Sequence, residues 1–455
     1  MISLQAMPIR RQLSFIVLSI LLSLTIYSSS FAEYQVFTAK LDNGLTVILL
    51  EDHHSPIIAM EIVYNVGTKN EQRGLTGLAS ICHEILKYGT DSFPRGRAAR
   101  IIQAGGGYIN YMRNREYTVI SSNFASNMLD TVLRIEADRM QNTKLTFEKL
   151  ILAKEIVGKA RQMGVEGSLY GPLNEELFNL HYCANPYANP KNGWPDDVKN
   201  ISFDDVKNFY RDFFIPSNAY ITIAGDFNAN QVKEKISELF GVIISKPVPK
   251  QRNITEPKRY GERIGIIYDR SPVPALASAY LAPPSKKPEE VAIMGVITQI
   301  LSQGESSRLH KRLVEEDLAI ATGGGQVTLS GPGIVFYWAI GNYDASIDDM
   351  NDIFLEELAI LRKKLVSPDE LEKAKNKITA DYYRGIRNLG GLVTMLAYNH
   401  IIFNDWRYMT KYVDLAQEVT AKDIQDIADK YLTVNGRTTV MMMHSDDKAI
   451  GGESD

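Results

Sequence analysis

The sequence predicts an α+β protein made of two duplicated domains, each a sheet with helices packed on one face. Three observations carry the prediction. At 455 residues the chain is too long for one ordinary core. It repeats itself at long period. Within each repeat, β-rich runs come first, amphipathic helices follow, and a strand closes the unit.

The repeat is visible at both ends of each half. "HHSPIIAMEIVYNVGT" from His53 matches "DRSPVPALASAYLAPP" from Asp269, with Ser55, Pro56 and Tyr64 falling on Ser271, Pro272 and Tyr280. Each segment leads into an amphipathic helix, "LTGLASICHEILKYG" and "PEEVAIMGVITQILSQG". At the far ends, "YRDFFIPSNAYITIAGDF" and "ADKYLTVNGRTTVMMMHSD" both run from helix end through a turn to a strand, and Phe214 and Asn218 fall on Tyr431 and Asn435. Nearly equal offsets at opposite ends of a half indicate a duplicated domain, not a solenoid of short repeats. The boundary falls in the Pro- and charge-rich "KPVPKQRNITEPK". The expected divisions are a signal peptide over 1–32, an N-terminal domain over 33–245, a linker over 246–258, a C-terminal domain over 259–447 and a disordered tail over 448–455.

Composition narrows the function classes. Apolar residues make up 45% and charged residues 23% of the chain, the balance of a globular protein. A net charge of −4 without a Lys/Arg-rich run gives no case for nucleic acid. Arg10 and Arg11, the apolar run from Leu13 to Ile26 and the small residues Ser30 and Ala32 have the layout of a secretory signal, with cleavage expected after Ala32. That run is shorter than the roughly 20 residues that span a bilayer, and no later segment is long and apolar enough. The expected location is therefore exported: bacterial periplasm or envelope, or secreted. Two cysteines, Cys82 and Cys183, are not a disulfide framework, and Cys82 reads as a buried free thiol.

The chemistry turns on "GLTGLASICHEILKYGT", Gly74 to Thr90. A helical zinc peptidase needs two imidazoles one turn apart, as H-E-x-x-H or H-x-x-E-H. Here Ser80 stands where the first His of the inverted motif would be, His83 and Glu84 follow in swapped order, and Lys87 spoils the forward reading. Ser80, His83 and Glu84 share a helix face at i, i+3 and i+4. Glu148 and Glu155, seven apart in "FEKLILAKEIVGKAR", share a face of another helix. Taken alone, such an acidic pair is most often solvated surface. His53 and His54 read as a loop before a strand, and His181 as a loop residue.

With "AGGGYINYMRNREYTVISSNF", "NPYANPKNGWPDDVKNIS", "FYRDFFIPSNAYITIAGDF", "SPVPALASAYLAPP" and "GESSRLHKRLVEEDLAIATGG", the chain resembles the pitrilysin/insulinase family of inverted zincins from Phe37 to His444. The resemblance implies duplicated α+β halves with mainly antiparallel sheets. It puts the family's first ligand His at Ser80, its general-base Glu at His83 and its second ligand His at Glu84. The distal ligand Glu falls on Glu155 and its supporting Glu on Glu148, both retained. A substrate-holding Arg and Tyr of the second half fall on Leu313 and Ile320. Asn110 matches the family's edge-strand Asn, and Tyr111 replaces a small residue beside it, which would narrow a peptide groove.

Catalytic zinc takes three protein ligands and an open position, usually with imidazole among them. Loss of both imidazoles predicts no resident cofactor and no catalytic residue, with Ser80, Glu84 and Glu155 as vestigial ligand positions. The resemblance then implies a pseudoenzyme: the non-catalytic subunit of a heterodimeric zinc metallopeptidase acting on unfolded peptides, whose partner is a homologous subunit with an intact zinc motif. Two alternatives stay open. One is an active metalloendopeptidase holding metal through His83, Glu84 and Glu155. The other is a peptide-binding or scaffolding protein without proteolysis.

Overall fold

A computed structural model describes residues 35–250, 254–269 and 271–444. The signal-peptide segment over 1–32 and the tail over 448–455 lie outside the described residues. Two mixed, mainly antiparallel sheets organise the rest. The first has the strand order β1-β2-β6-β3-β5-β4, built from β1 (Val36–Lys40), β2 (Thr46–Glu51), β3 (Ile57–Tyr64), β4 (Tyr108–Arg113), β5 (Thr118–Ala125) and β6 (Ala219–Gly225). The second runs β7-β11-β8-β10-β9, from β7 (Arg263–Asp269), β8 (Ala275–Ala282), β9 (Ala319–Val327), β10 (Gly333–Gly341) and β11 (Thr438–His444).

The duplication is realised strand for strand. In each sheet one parallel pair, β2 with β6 and β7 with β11, joins an antiparallel set. Tyr64 and Tyr280, aligned in the repeat, end or nearly end the equivalent strands β3 and β8, and both are buried. The helices before β6 and β11 both start with a capping box, Ser202 with Asp205 and Thr420 with Asp423. β1 has no counterpart in the second sheet among the described residues.

Helices of each half cover one face of their own sheet. In the first half these include α1 (Leu78–Lys87), α2 (Arg97–Ala104), α3 (Leu129–Asn142) and α4 (Phe147–Arg161). The opposite faces are covered reciprocally. α5 (Gly171–His181) crosses from the first half to lie on β7, β8 and β11, packing Leu173, Leu177 and Phe178 over Ala275, Ala277 and Ala279. A helix of the second half, Leu389–Phe403, lies on β3 and β6, with Ala397, Ile401 and Ile402 against Val63 and Val119. The small alternate residues of β8 give a helix room to approach. The apolar run "IIAMEIVY" of β3 is what a strand buried on both faces requires.

One detail differs from the sequence reading. His181 is not a loop residue: it ends α5 and is buried, with Nδ1 3.1 Å from Thr438 Oγ1. The C-terminal end of α5 needs partners for its carbonyls, and the Arg263 guanidinium donates to the oxygens of Leu180 and His181 (2.7 and 3.0 Å). Both cysteines are free, Cys82 buried and Cys183 exposed.

Candidate functional site

The site is built on α1. Gly77 precedes the helix at φ +97°, a left-handed conformation, and a Cβ there would lie 2.7 Å from Val198 Cγ2, so glycine is needed on both counts. A side-chain oxygen of the buried Glu71 carboxyl accepts the Ala79 N–H (2.9 Å), satisfying one of the free donors of the first turn. Leu78, Ala79, Ser80, Ile81, Cys82, His83, Ile85 and Leu86 are all buried, and of the motif residues only Glu84 is part-exposed. The last turn is held from α3, where Arg139 donates to the Leu86 carbonyl (2.9 Å).

Ser80, His83 and Glu84 are brought onto one face, as their spacing predicts, but their polar atoms are engaged elsewhere. Ser80 is fully buried and its hydroxyl donates to the Lys191 carbonyl (2.8 Å). Arg113, at the end of β4, donates to the same carbonyl (2.6 Å) and to Asn192 Oδ1, fixing that loop over Ser80. Glu84 Oε1 accepts from Lys87 Nζ at 2.7 Å. His83 Nδ1 lies 3.3 Å from the same oxygen without hydrogen-bond geometry, and both ring nitrogens are buried and unpartnered.

These contacts fix the charges. Burial lowers the pKa of His83, and the nearby Glu84 carboxylate offsets this only in part, so the imidazole is neutral at pH 7. Burial opposes ionisation of Glu84, yet its contacts with His83 and Lys87 hold it down at about 2. The Glu84 carboxylate is therefore already neutralised by an ammonium.

The distal acids sit apart from this cluster. Glu148 and Glu155 are both exposed on α4, which packs against α1. Even so, among the described residues no three His, Cys, Asp or Glu side chains converge in a way that could hold a metal ion. The residues present do not fit zinc. One candidate donor is a hydroxyl committed to a carbonyl, another is a carboxylate paired with Lys87, and the remaining imidazole is walled in.

The other predicted positions are scattered over the fold. On the edge strand β4, Asn110 is exposed, while Tyr111 turns to the helical face, its ring 5.2 Å from the Arg139 guanidinium. Leu313 is fully buried in the second core, and Ile320 is exposed on the edge strand β9. Sequence reasoning missed four groups that shape the site: Glu71, Lys87 as the partner of Glu84, Arg113 and the Lys191 carbonyl. Only Lys87 carried a signal, since i+3 spacing from Glu84 predicts the ion pair.

Comparisons with known proteins agree with the fold. The model of the family "Insulinase (Peptidase family M16)" matches residues 46–191, and that of "Peptidase M16 inactive domain" matches residues 200–378. The zinc protease PqqE of Helicobacter pylori is 25% identical over 411 residues, covering 89% of this chain and 92% of that protein. A protease from Helicobacter pylori of known structure superposes with a TM-score of 0.86 at 24% identity, covering 90% of this chain and 99% of that one. The first half of the periplasmic protease PqqL from Escherichia coli shares the fold with a TM-score of 0.73 at 15% identity, over 92% of this chain and 94% of that one. The motif, the duplicated sheets and the two family matches lead to one assignment: the chain belongs to the insulinase, or pitrilysin-like M16, family of zinc peptidases and their homologues.

Proposed function

We propose that the chain is an exported, non-catalytic subunit that pairs with a homologous insulinase-like subunit carrying an intact H-x-x-E-H motif, forming a chamber that cleaves unfolded peptides. The observation that carries this reading is the state of α1. Its motif face is closed by the Lys191 carbonyl and the Lys87 ammonium, while the scaffold around it is intact. A chain under no constraint would be expected to lose its turn glycines and cores, yet Gly77 stands where the backbone needs a glycine and both sheets carry closed buried clusters. Zinc in this reading belongs to the partner.

Addition of this chain to its intact homologue should raise peptidase activity and yield a complex of one copy each by sizing. The interface should bury at least about 1,000 Å². Ser80→Ala, His83→Ala and Glu84→Ala should leave the stimulation largely unchanged. A chain that neither binds nor stimulates the homologue contradicts the proposal.

Export rests on the leader-like N-terminus and is supported by the fold shared with a periplasmic protease. Among the described residues no helix is long and apolar enough to cross a membrane. N-terminal sequencing of the abundant cellular form should begin at Glu33, and a start at Met1 or Met7 contradicts export.

A further inference from the structure

We propose that the outer face of β7 is a docking groove for an amphipathic helix of another polypeptide, one with apolar residues at i and i+4 and a basic residue at i+3. The duplication supplies the template. In the first half the helix Ala229–Phe240 packs on β2, and its Val232, Ile236 and Phe240 share a core with Val47 and Leu49. Strand pairing locates the same positions in the second half. Val47 pairs with Ile221 and Leu49 with Ile223, which in turn pair with Ile62 and Met60. Ile264 pairs with Thr439 and Ile266 with Met441, which in turn pair with Ser278 and Leu276. Because Tyr64 falls on Tyr280, Ile62 and Met60 fall on Ser278 and Leu276, so Ile264 and Ile266 stand for Val47 and Leu49.

The two faces differ in cover. Val47 and Leu49 are 1% and 2% exposed, whereas Ile264 and Ile266 are 58% and 51% exposed. Both isoleucines lie on the face away from α5, since Leu180 of α5 crowds Gly265 between them. Beside them Met441 is part-exposed where Ile223 is fully buried. At the far end Glu262, 3.3 Å from Arg437, stands at the Leu45 position, so the apolar floor is short and takes positions i and i+4 only. The wall of the groove carries a matching charge. α3 and the helix Ile347–Lys363 are equivalent: buried Val132, Ile135 and Met140 fall on buried Met350, Ile353 and Leu358, and Asp130 falls on Asp348. Lys235, at i+3 from Val232 on the covering helix, reaches Asp130 at 3.2 Å. Asp348 is exposed, and among the described residues it has no ion pair. A helix seated as Ala229–Phe240 is seated sets apolar residues over Ile266 and Ile264 and a Lys or Arg beside Asp348.

Fluorescence anisotropy of the full chain with a labelled peptide of residues 228–241, stapled on its solvent face and bearing Phe240→Gln, tests this from about 1 µM to 1 mM, the range of a short groove. Stapling removes the cost of helix nucleation. Saturable binding is expected. Ile266→Asp and Ile264→Asp, each with circular dichroism unchanged, should weaken it by about tenfold or more. Asp348→Lys should weaken it about two- to fivefold, and a peptide carrying Lys235→Glu should recover that loss on Asp348→Lys only. In the same alignment Ile450 falls on Val232, so Ile450→Asp separates an outside helix from the chain's own residues, and it should leave binding unchanged. No saturation by about 1 mM, equal binding to Ile266→Asp, no recovery by the charge swap, or binding that appears only with Ile450→Asp overturns the inference.

Discussion

Glu71→Gln is expected to stabilise the protein at pH 8 and to change it little near pH 4.5. Burial pushes the Glu71 carboxyl up to about 8, against the opposing pull of the Ala79 and Gly77 N–H groups and the Arg113 charge. Between its unfolded value of 4.5 and its folded value, the unfolded chain has released a proton that the folded chain still holds. Stability therefore falls as pH rises through this window, by about 1.4 kcal/mol per pH unit, and the full penalty is present above the folded pKa. Glutamine keeps an acceptor for the Ala79 N–H and cannot ionise. The variant should gain on the parent from about pH 5 upward, reaching roughly 3 to 6 kcal/mol at pH 8. Comparing variant with parent cancels the other titrating groups, including Glu84, whose depressed pKa acts oppositely and only under acid conditions. Urea unfolding at pH 5, 6.5 and 8 checks this; a constant difference across the three shows that Glu71 is ionised in the fold.

Arg139→Met should be the most damaging single change near the site. Arg139 and Glu136 are both buried, with Nε–Oε2 at 2.9 Å and Nη2–Oε1 at 3.2 Å. Arg139 also caps the last turn of α1 through the Leu86 carbonyl. Removing it leaves a buried carboxylate and a carbonyl without their partner, a loss of about 3 to 5 kcal/mol. Combining it with Glu136→Gln removes the stranded charge and should recover part of the loss. Denaturant midpoints of the three variants measure this. If the double variant is no better than Arg139→Met alone, packing and the Leu86 cap, not the charge pair, account for the effect.

The repeat made the order of elements along each half legible, because Tyr64 and Tyr280 mark equivalent buried strands, but not the order of those strands within a sheet. The reciprocal crossing of α5 and Leu389–Phe403 was not read. Its signal was present in "IIAMEIVY" and in the small residues at Ala275, Ala277 and Ala279, which imply a second covered face but not which helix covers it. At the site, the motif positions were readable because helix spacing fixes which side chains share a face. Their partners were not, since the Lys191 carbonyl belongs to a backbone 111 residues away and has no side-chain signature. His181 was misread for the same reason: Thr438 and Arg259, which enclose it, are brought near by the second sheet.

We propose that Ser80, His83, Glu84 and Glu155 do not form a zinc site. The most direct test is elemental analysis of the mature chain purified alone from zinc-supplemented medium, alongside Glu155→Ala. The arrangement around α1 predicts far less than one zinc per chain in both proteins and no chelator-sensitive peptide cleavage. One zinc per chain in the parent, lost in Glu155→Ala, would contradict it.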